Sequence, residues 1–228
     1  MEIWLDDQEV EKCYKQILWK IMQFRSGEVA NLMEQHGIKY RQNWGVSLVD
    51  LKKIAGESVP SHVLALKLWN KQWRETMILA SMLDEPYKVS EEQMDFWTKS
   101  LDNSEIAEQL SFNLWWKTPS AYVKALEWCR GKKHWMHYTA VHLAGRLAQV
   151  DKKSPDEMFD PFFEEFLPLT KDKALSTMLC RTLIIFANRS PELNNEVLTF
   201  AEEIRNSGSE VAILLASEIF AGIQANNI

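Results

Sequence analysis

Two carboxylates near the middle of the chain have the type and spacing of residues that could do chemistry. Glu105 and Glu108 lie three residues apart in the stretch DNSEIAEQLSFNLWWKTP, residues 102–119. Apolar residues in this stretch recur at helical spacing, so a helix would project both carboxylates from one side of its first turns. We therefore look for a catalytic site here first. The alternative is a pair of solvated acids, because acidic residues are ordinarily enriched in the first turn of a helix.

A basic segment follows the two carboxylates. From Lys117 to Lys153 the chain carries eight basic and two acidic residues, a local charge of +6 within a chain of net charge −6. The basic residues are Lys117, Lys124, Arg130, Lys132, Lys133, Arg146, Lys152 and Lys153. This uneven distribution predicts one surface that attracts phosphates and other surfaces that repel them. Solvated helix ends and loops are the alternative, since Lys and Arg also favour helix C-termini.

Other residue types that could carry chemistry give weaker signals. His134, His137 and His142 have a spacing that could bind a metal, but no set of carboxylates or cysteines accompanies them, so we expect no metal site. The sequence has neither a Gly-rich phosphate loop nor a Gly-x-Ser-x-Gly nucleophile motif, and we expect no cofactor. Trp115 and Trp116 could stack on bases, but most of the ten tryptophans occupy helical positions that favour packing.

Composition indicates the fold class that must position these residues. The 228 residues are 46% hydrophobic, with only 8 Gly and 7 Pro, which favours helices joined by short loops. We predict an all-α protein that forms a single repeat domain over residues 1–228. No segment has the length and hydrophobicity of a membrane span, and the acidic N-terminus does not resemble a signal peptide, so we expect a cytoplasmic protein. Cys13, Cys129 and Cys180 are interpreted as core thiols.

Capping residues predict where individual helices begin and end. The N-terminal region predicts helices over about 6–24 and 26–36, the second capped by Ser26 and stopped by Gly37. Ser47 is expected to cap a further short helix.

The carboxylate stretch has its own boundary signals. Asn103 or Ser104 can cap its helix, and Pro119 closes the far end. Upstream, Arg74 and Glu75 could form a salt bridge between helices rather than a functional site.

A weak internal repeat organises the chain from residue 62 onward. Five apolar helical segments, each preceded by another helical segment, recur at steps of 31, 31, 40 and 34 residues; they are anchored at Trp73, Ser104, Trp135, Leu175 and Ser209. The longest step contains the Pro-punctuated insertion SPDEMFDPFFEEFLP. A period in the thirties built from helix pairs indicates a HEAT-like α-solenoid, here of about six antiparallel helix pairs. A globular helical bundle is the alternative.

Three segments together resemble the DNA alkylation repair family, the AlkD-like HEAT-repeat DNA glycosylases. They are NWGVSLVDLKKIAGES, LALKLWNKQWRETMILASMLDEP and SEIAEQLSFNLWWKTPSAYVKALEWCRGKKHWMHYTA, and the similarity covers about residues 20–205. The resemblance implies a superhelix of helix pairs whose concave surface holds duplex DNA. It also implies removal of N3- or N7-alkylated purines, with the second Asp of a Trp-Asp-x-x-Asp motif stabilising an oxocarbenium-like transition state.

The sequence departs from the family pattern at the motif itself. The motif aligns with Ser104 to Glu108, so the aromatic residue is missing and Glu108 replaces the catalytic Asp. Where the family commonly has paired arginines after a Trp, this chain has His137 and Tyr138 after Trp135. Arg181 aligns loosely with a second family Trp.

Two functions of different class follow. The first is an N-glycosylase for alkylated purines in duplex DNA, with Glu108 and Glu105 as catalytic residues. The second is an inactive family member that acts as a DNA-binding or protein-binding scaffold. We expect a monomer without a membrane partner, and an inactive member could bind a protein partner. The residues expected to contact DNA are Lys117, Arg130, Lys132, Lys133, His137, Tyr138, Arg146 and Arg181.

Overall fold

The computed structural model describes residues 7–226, which divide into two compact units between Ser90 and Glu91. Throughout residues 7–226 the ordered elements are α-helices and short 3-10 helices, without a β-strand. The predicted all-α class is confirmed. Nothing in this division tests the prediction of a single repeat domain, which stays a prediction.

The first unit contains five described α-helices, three of which begin after a serine cap. Ser26, Ser47 and Ser61 each accept a hydrogen bond from a backbone N–H in the first turn of the following helix. Gly37 follows the second helix with a positive φ of 83°. The helices are α1 (Gln8–Gln23), α2 (Gly27–Gln35), α3 (Leu48–Gly56), α4 (His62–Asn70) and α5 (Arg74–Leu83). The predicted first helix was placed from about residue 6, and Asp6 lies outside the described residues.

Arg74 and Glu75 are buried and hold the segment before α3. Their side chains contact each other at 3.2 Å. The Glu75 carboxylate accepts hydrogen bonds from the backbone N–H groups of Trp44 and Val46, and the Arg74 guanidinium donates to the Val46 carbonyl at 2.8 Å. The predicted salt bridge therefore exists, but between neighbours on α5. Both charges are compensated by loop backbone, as buried charges require.

The second unit contains eight described α-helices. They are α6 (Glu91–Lys99), α7 (Ser104–Asn113), α8 (Ala121–Cys129), α9 (His134–Val150), α10 (Asp160–Phe166), α11 (Ser176–Ala187), α12 (Pro191–Arg205) and α13 (Glu210–Asn226). Each of the five repeat anchors lies within one residue of the start of α5, α7, α9, α11 or α13. The helical period read from the sequence is thus confirmed.

Packing within the second unit produces two layers. Helices α7, α9, α11 and α13 contact one another in that order, and we call them the second-helix layer. Helices α6, α8 and α10 contact one another in the other layer, with α8 packed along α9. The proline-rich insertion forms α10 and its flanking 3-10 turns, and Arg189 fixes it by hydrogen bonding Asp156 and the Ser154 carbonyl. This arrangement brings α7, α9 and α11 side by side.

Helix α7 ends earlier than predicted. It begins after Asn103, whose side chain accepts from the Ile106 N–H, but it stops at Asn113 rather than continuing to Pro119. A 3-10 turn, Trp115–Lys117, follows. The turn buries Trp115 between Trp97 and Trp128, at ring-centroid distances of 5.6 and 6.4 Å, while Trp116 is half-buried. Burial of Trp115 explains the early break, because burying a large aromatic side chain outweighs the helical preference of three residues.

The remaining sequence-based expectations for the fold have mixed outcomes. All three cysteines are free, but only Cys129 is buried, and Cys13 and Cys180 are half-exposed. The interpretation of all three as core thiols was therefore wrong for two of them. Within residues 7–226, no helix is long and apolar enough to cross a membrane.

Candidate functional site

Three stripes of side chains on adjacent helices meet at one pocket in the second unit. Helix α7 contributes Glu108 and Phe112, one turn apart, and α9 contributes His142, Arg146 and Gln149. Helix α11 contributes Met178, Arg181, Thr182 and Ile185, at spacings of three and four residues. Because residues three or four apart share a helix face, each helix presents one continuous stripe. We call this the α7–α9–α11 pocket; its volume is about 140 Å³.

Glu108 is the acidic group of the pocket, and its main partner is on α9. The Tyr138 hydroxyl donates a hydrogen bond of 2.5 Å to the Glu108 carboxylate. Tyr138 lies one turn before His142, so it belongs to the α9 stripe. Burial, reinforced by this hydrogen bond, raises the pKa of the Tyr138 hydroxyl well above its usual range. Tyr138 therefore stays protonated and orients the carboxylate.

His142 and Arg146 bring buried polar atoms to the pocket. Burial lowers the pKa of His142, with Glu108 opposing and Arg146 reinforcing that effect, so the imidazole is neutral at pH 7. His142 Nδ1 and Arg146 Nε are both buried without a hydrogen-bond partner. Burial also lowers the pKa of Arg146, although a guanidinium remains charged in proteins. These two atoms are therefore enclosed within the protein, although the residues that carry them line the pocket.

Arg146 is held in place by two aromatic rings at the edge of the pocket. Its guanidinium carbon lies 4.1 Å from the centroid of the Phe112 ring and 5.5 Å from that of Trp116. Lys117 Nζ lies 5.6 Å from the Trp116 ring on the same side. Burial, together with the charge of Arg146, lowers the pKa of Lys117. Two of the predicted DNA-binding cations therefore share one cation–π cluster beside Glu108.

The other predicted DNA-binding residues lie around the α8–α9 loop and are partly engaged. Arg130 forms an ion pair with Glu165, and Lys133 Nζ donates to the Lys99 carbonyl at 2.8 Å. A ring nitrogen of His137 lies 2.7 Å from the Gly131 carbonyl, within the loop itself. Lys132 is exposed there. The pocket brings together Glu108, Arg146 and Arg181, and Tyr138 is hydrogen-bonded to Glu108. The loop group lies at the N-terminal end of α9.

Glu105 of the predicted site and Lys124 of the basic segment do not line the α7–α9–α11 pocket. Glu105 is half-buried in the first turn of α7 and does not line the α7–α9–α11 pocket. Lys124 was counted in the phosphate-attracting segment, but its side chain is only 4% exposed. It contacts Asp95 at 3.0 Å and Glu127 at 2.7 Å. These ion pairs make Lys124 a structural residue, and that part of the charge argument was wrong.

Sequence reasoning missed several residues of the pocket. Phe112 and Gln149 were not singled out, and His142 was considered only as a metal ligand. Their signal was available in the spacing, because Tyr138, His142 and Arg146 recur every four residues and Phe112 follows Glu108 by four. Within residues 7–226, no group of three or more His, Cys, Asp or Glu side chains is placed to hold a metal ion.

Comparisons with known proteins identify the relatives of this fold. No curated protein matches the chain significantly. One solved structure is described as "a new family of proteins related to the HEAT-like repeat DNA glycosylases with affinity for branched DNA structures". It matches with a TM-score of 0.71 and 15% sequence identity, covering 92% of this chain and 94% of that one. This likeness establishes the HEAT-like repeat fold.

The sequence model of the DNA alkylation repair enzyme family matches residues 20–174, which is more than half of the chain. That range includes α7, α8 and α9, and with them Glu108, Tyr138, His142 and Arg146. The chain therefore belongs to the DNA alkylation repair enzyme family.

Proposed function

We propose that this protein binds duplex DNA on the second-helix layer and releases N3- or N7-alkylated purines, with Glu108 as the catalytic carboxylate. The observation that supports this proposal is the position of Glu108 in a pocket flanked by Arg146 and Arg181. An oriented carboxylate beside cations can approach the sugar–phosphate backbone, since the cations offset its repulsion by phosphate. Arg146, Arg181 and Lys117 supply the phosphate contacts.

Base release requires little more of the protein than a correctly positioned negative charge. In base release, the glycosidic bond breaks, its electron pair leaves with the base, and water adds to C1′ of the sugar and releases one proton to solvent. Positive charge develops on the sugar, which a carboxylate stabilises electrostatically. An alkylated purine is already cationic and leaves as a neutral base, so protonation of the leaving group is not needed. Tyr138 holds the Glu108 carboxylate for this role.

Base release from methylated duplex DNA tests the proposal. The purified protein is incubated with DNA containing 7-methylguanine, and the released base is quantified by chromatography. Glu108→Gln keeps the shape of the side chain but removes its charge, and we expect a loss of at least about a hundredfold in rate. Glu127→Gln, an exposed carboxylate on α8, is the matched control and keeps full activity. Full activity in Glu108→Gln would remove Glu108 from the mechanism.

A second function, binding of DNA without catalysis, is favoured by the same hydrogen bond. Tyr138 already engages the Glu108 carboxylate at 2.5 Å, so part of its capacity to stabilise a developing cation is used within the protein. The solved relative, described as having affinity for branched DNA structures, suggests which DNA to test. Binding is compared for a four-way junction and a linear duplex of equal length. Preference for the junction, together with no base release, would support this function over the first.

A further inference from the structure

The loop between α2 and α3 carries a run of hydrogen-bond donors that lies outside the α7–α9–α11 pocket. Residues 39–43 read KYRQN, so five consecutive side chains can donate a hydrogen bond. Together with the C-terminal half of α2, this loop lines a pocket of about 290 Å³ in the first unit. We propose that this pocket binds the phosphate backbone of DNA through Lys39 and Arg41. The inference rests on the DNA-binding part of the proposed function and is independent of base release.

Polar side chains dominate the lining of this first-unit pocket and give it a positive charge. Lys39 and Arg41 are exposed, and the acid that lines the pocket with them is Glu34, so the lining has a net charge of +1. Asn31 and Gln42 add amide groups. Lys, Arg, Tyr, Asn and Gln are among the side chains that contact phosphate and sugar in protein–DNA complexes. The pocket therefore has the composition of a DNA-backbone contact rather than that of a site for an apolar ligand.

Hydrogen bonds fix the end of the loop that leads into α3. The backbone N–H of Arg74 donates to the Gln42 carbonyl at 2.9 Å, and that of Ser26 donates to the Trp44 carbonyl at 2.8 Å. The carboxylate of Glu75 accepts from the Trp44 N–H at 3.1 Å. Arg74 and Glu75 are themselves buried, so two charged side chains in the interior hold this segment. Because the backbone is held, less conformational entropy is lost when the cations of the loop bind a ligand.

The acid in the pocket limits which phosphate the pocket accepts. Each phosphodiester of a DNA strand carries one negative charge, which matches the net charge of the lining once Glu34 is counted. A terminal phosphate group carries about 1.5 to 2 negative charges at pH 7. The second charge would not be balanced by the lining and would be repelled by the Glu34 carboxylate. The charges therefore favour the DNA backbone over free phosphate or a mononucleotide.

The salt dependence of duplex binding tests the inference. Lys39→Met with Arg41→Met removes both cations at exposed positions, where substitution costs little stability. Each lost phosphate contact lowers the slope of log Kobs against log salt concentration by about 0.9. Between 50 and 200 mM salt, the double variant should therefore lose about twelvefold less affinity than the wild type. Lys12→Met with Lys88→Met removes two exposed charges of the same unit that do not line the pocket, and this matched control should leave the slope unchanged.

Chemical labelling of the wild-type protein gives a second readout that needs no substitution. When the protein is saturated with duplex DNA, Lys39 should lose its reactivity towards an acetylating reagent, whereas Lys12 should keep it, as measured by mass spectrometry. Inorganic phosphate, at the same concentration of phosphate groups, should protect neither lysine. Protection of Lys39 by inorganic phosphate alone would identify a site for a free anion and overturn the assignment to the DNA backbone.

The possible outcomes separate this inference from the proposed function. An unchanged slope in the Lys39 and Arg41 variant, an equal change in its control, or full reactivity of Lys39 in the DNA complex would overturn the inference. If substitution of Arg146 and Arg181 lowers the slope and substitution of Lys39 and Arg41 does not, DNA binding by the second-helix layer stands without the first-unit pocket. Failure of the wild type to bind any duplex would overturn both.

Discussion

The cations of the second-helix layer make a quantitative prediction about the salt dependence of DNA binding. Arg146 and Arg181 lie on adjacent helices and line one pocket, so a DNA backbone crossing this layer can contact both. The double substitution Arg146→Met and Arg181→Met keeps unbranched side chains at both positions and removes two charges. Met at position 146 can still pack against Phe112, so loss of packing contributes little.

Counterion release gives the size of the effect. Each phosphate contact contributes about 0.9 to the slope of log Kobs against log salt concentration for B-DNA. Two lost contacts therefore lower the slope by about 1.8. Between 50 and 200 mM salt, the wild type should lose about twelvefold more affinity than the double variant.

The assay is anisotropy of a labelled duplex over that salt range. The matched control is Lys99→Met with Arg205→Met, which removes two exposed charges from α6 and α12, outside the second-helix layer. It changes net charge by the same amount, so it corrects for the general field of the protein. An unchanged slope in the Arg146 and Arg181 variant, or an equal change in the control, would refute the assignment of this layer to DNA.

Three further predictions concern stability. Lys124→Met should lower the free energy of unfolding by about 2 kcal/mol, between the values for exposed and buried ion pairs, because Lys124 is buried but its acidic partners are partly exposed. Gly45→Ala should cost more than about 2 kcal/mol, because φ at Gly45 is +69° and a Cβ atom would lie 2.0 Å from the Ser26 carbonyl oxygen. His142, whose folded pKa is lowered by burial, makes stability fall as pH drops below its unfolded pKa of about 6.5. His142→Asn should therefore flatten that pH dependence by at most about 1.4 kcal/mol per pH unit.

Urea unfolding measures all three effects, and each has an internal comparison. The carboxylate of Glu127 is half-exposed, so Glu127→Gln should lower the free energy of unfolding by less than about 0.5 kcal/mol. If Glu127→Gln and Lys124→Met lowered it equally, the effect of Lys124→Met would not come from the burial of the lysine charge. Gly56→Ala places a Cβ in open space at an ordinary φ, so it should be tolerated where Gly45→Ala is not. An unchanged pH profile in His142→Asn would show that another group titrates.

The sequence predicted the helices well because their signals are local. Ser26 and Ser47 cap helices where expected, and the apolar anchors mark the starts of five helices. The end of α7 was predicted wrongly because it depends on a distant contact: Trp115 leaves the helix to pack against Trp97 and Trp128. No signal within residues 102–119 reports the presence of those two rings.

The candidate site was only partly predictable for the same reason. Glu108, Tyr138, Arg146 and Arg181 came from the family resemblance and the charge pattern, and the structure places them together. The burial of Lys124 was not predictable from charge, because a Lys on a helix looks the same in sequence whether it faces solvent or Asp95. Burial of a charged side chain is decided by partners on other elements, here on α6.

The residues at which the sequence departs from the family pattern lie close together in the structure, and their arrangement bears on whether the site is still ordered. The longer acid at Glu108 and the Tyr138 that stands where the resemblance implies an arginine form a hydrogen bond with each other. Arg181, at the third departure, lines the same pocket, and its charge acts on Tyr138. Substitutions accumulating without selection would leave charges unpaired or scattered, since nothing would link changes on α7, α9 and α11. In this chain a donor faces an acceptor instead, and Arg146 and Arg181 line the same pocket. The groups at the three departures are therefore held in one ordered arrangement, and base release from methylated DNA tests whether that arrangement acts in catalysis.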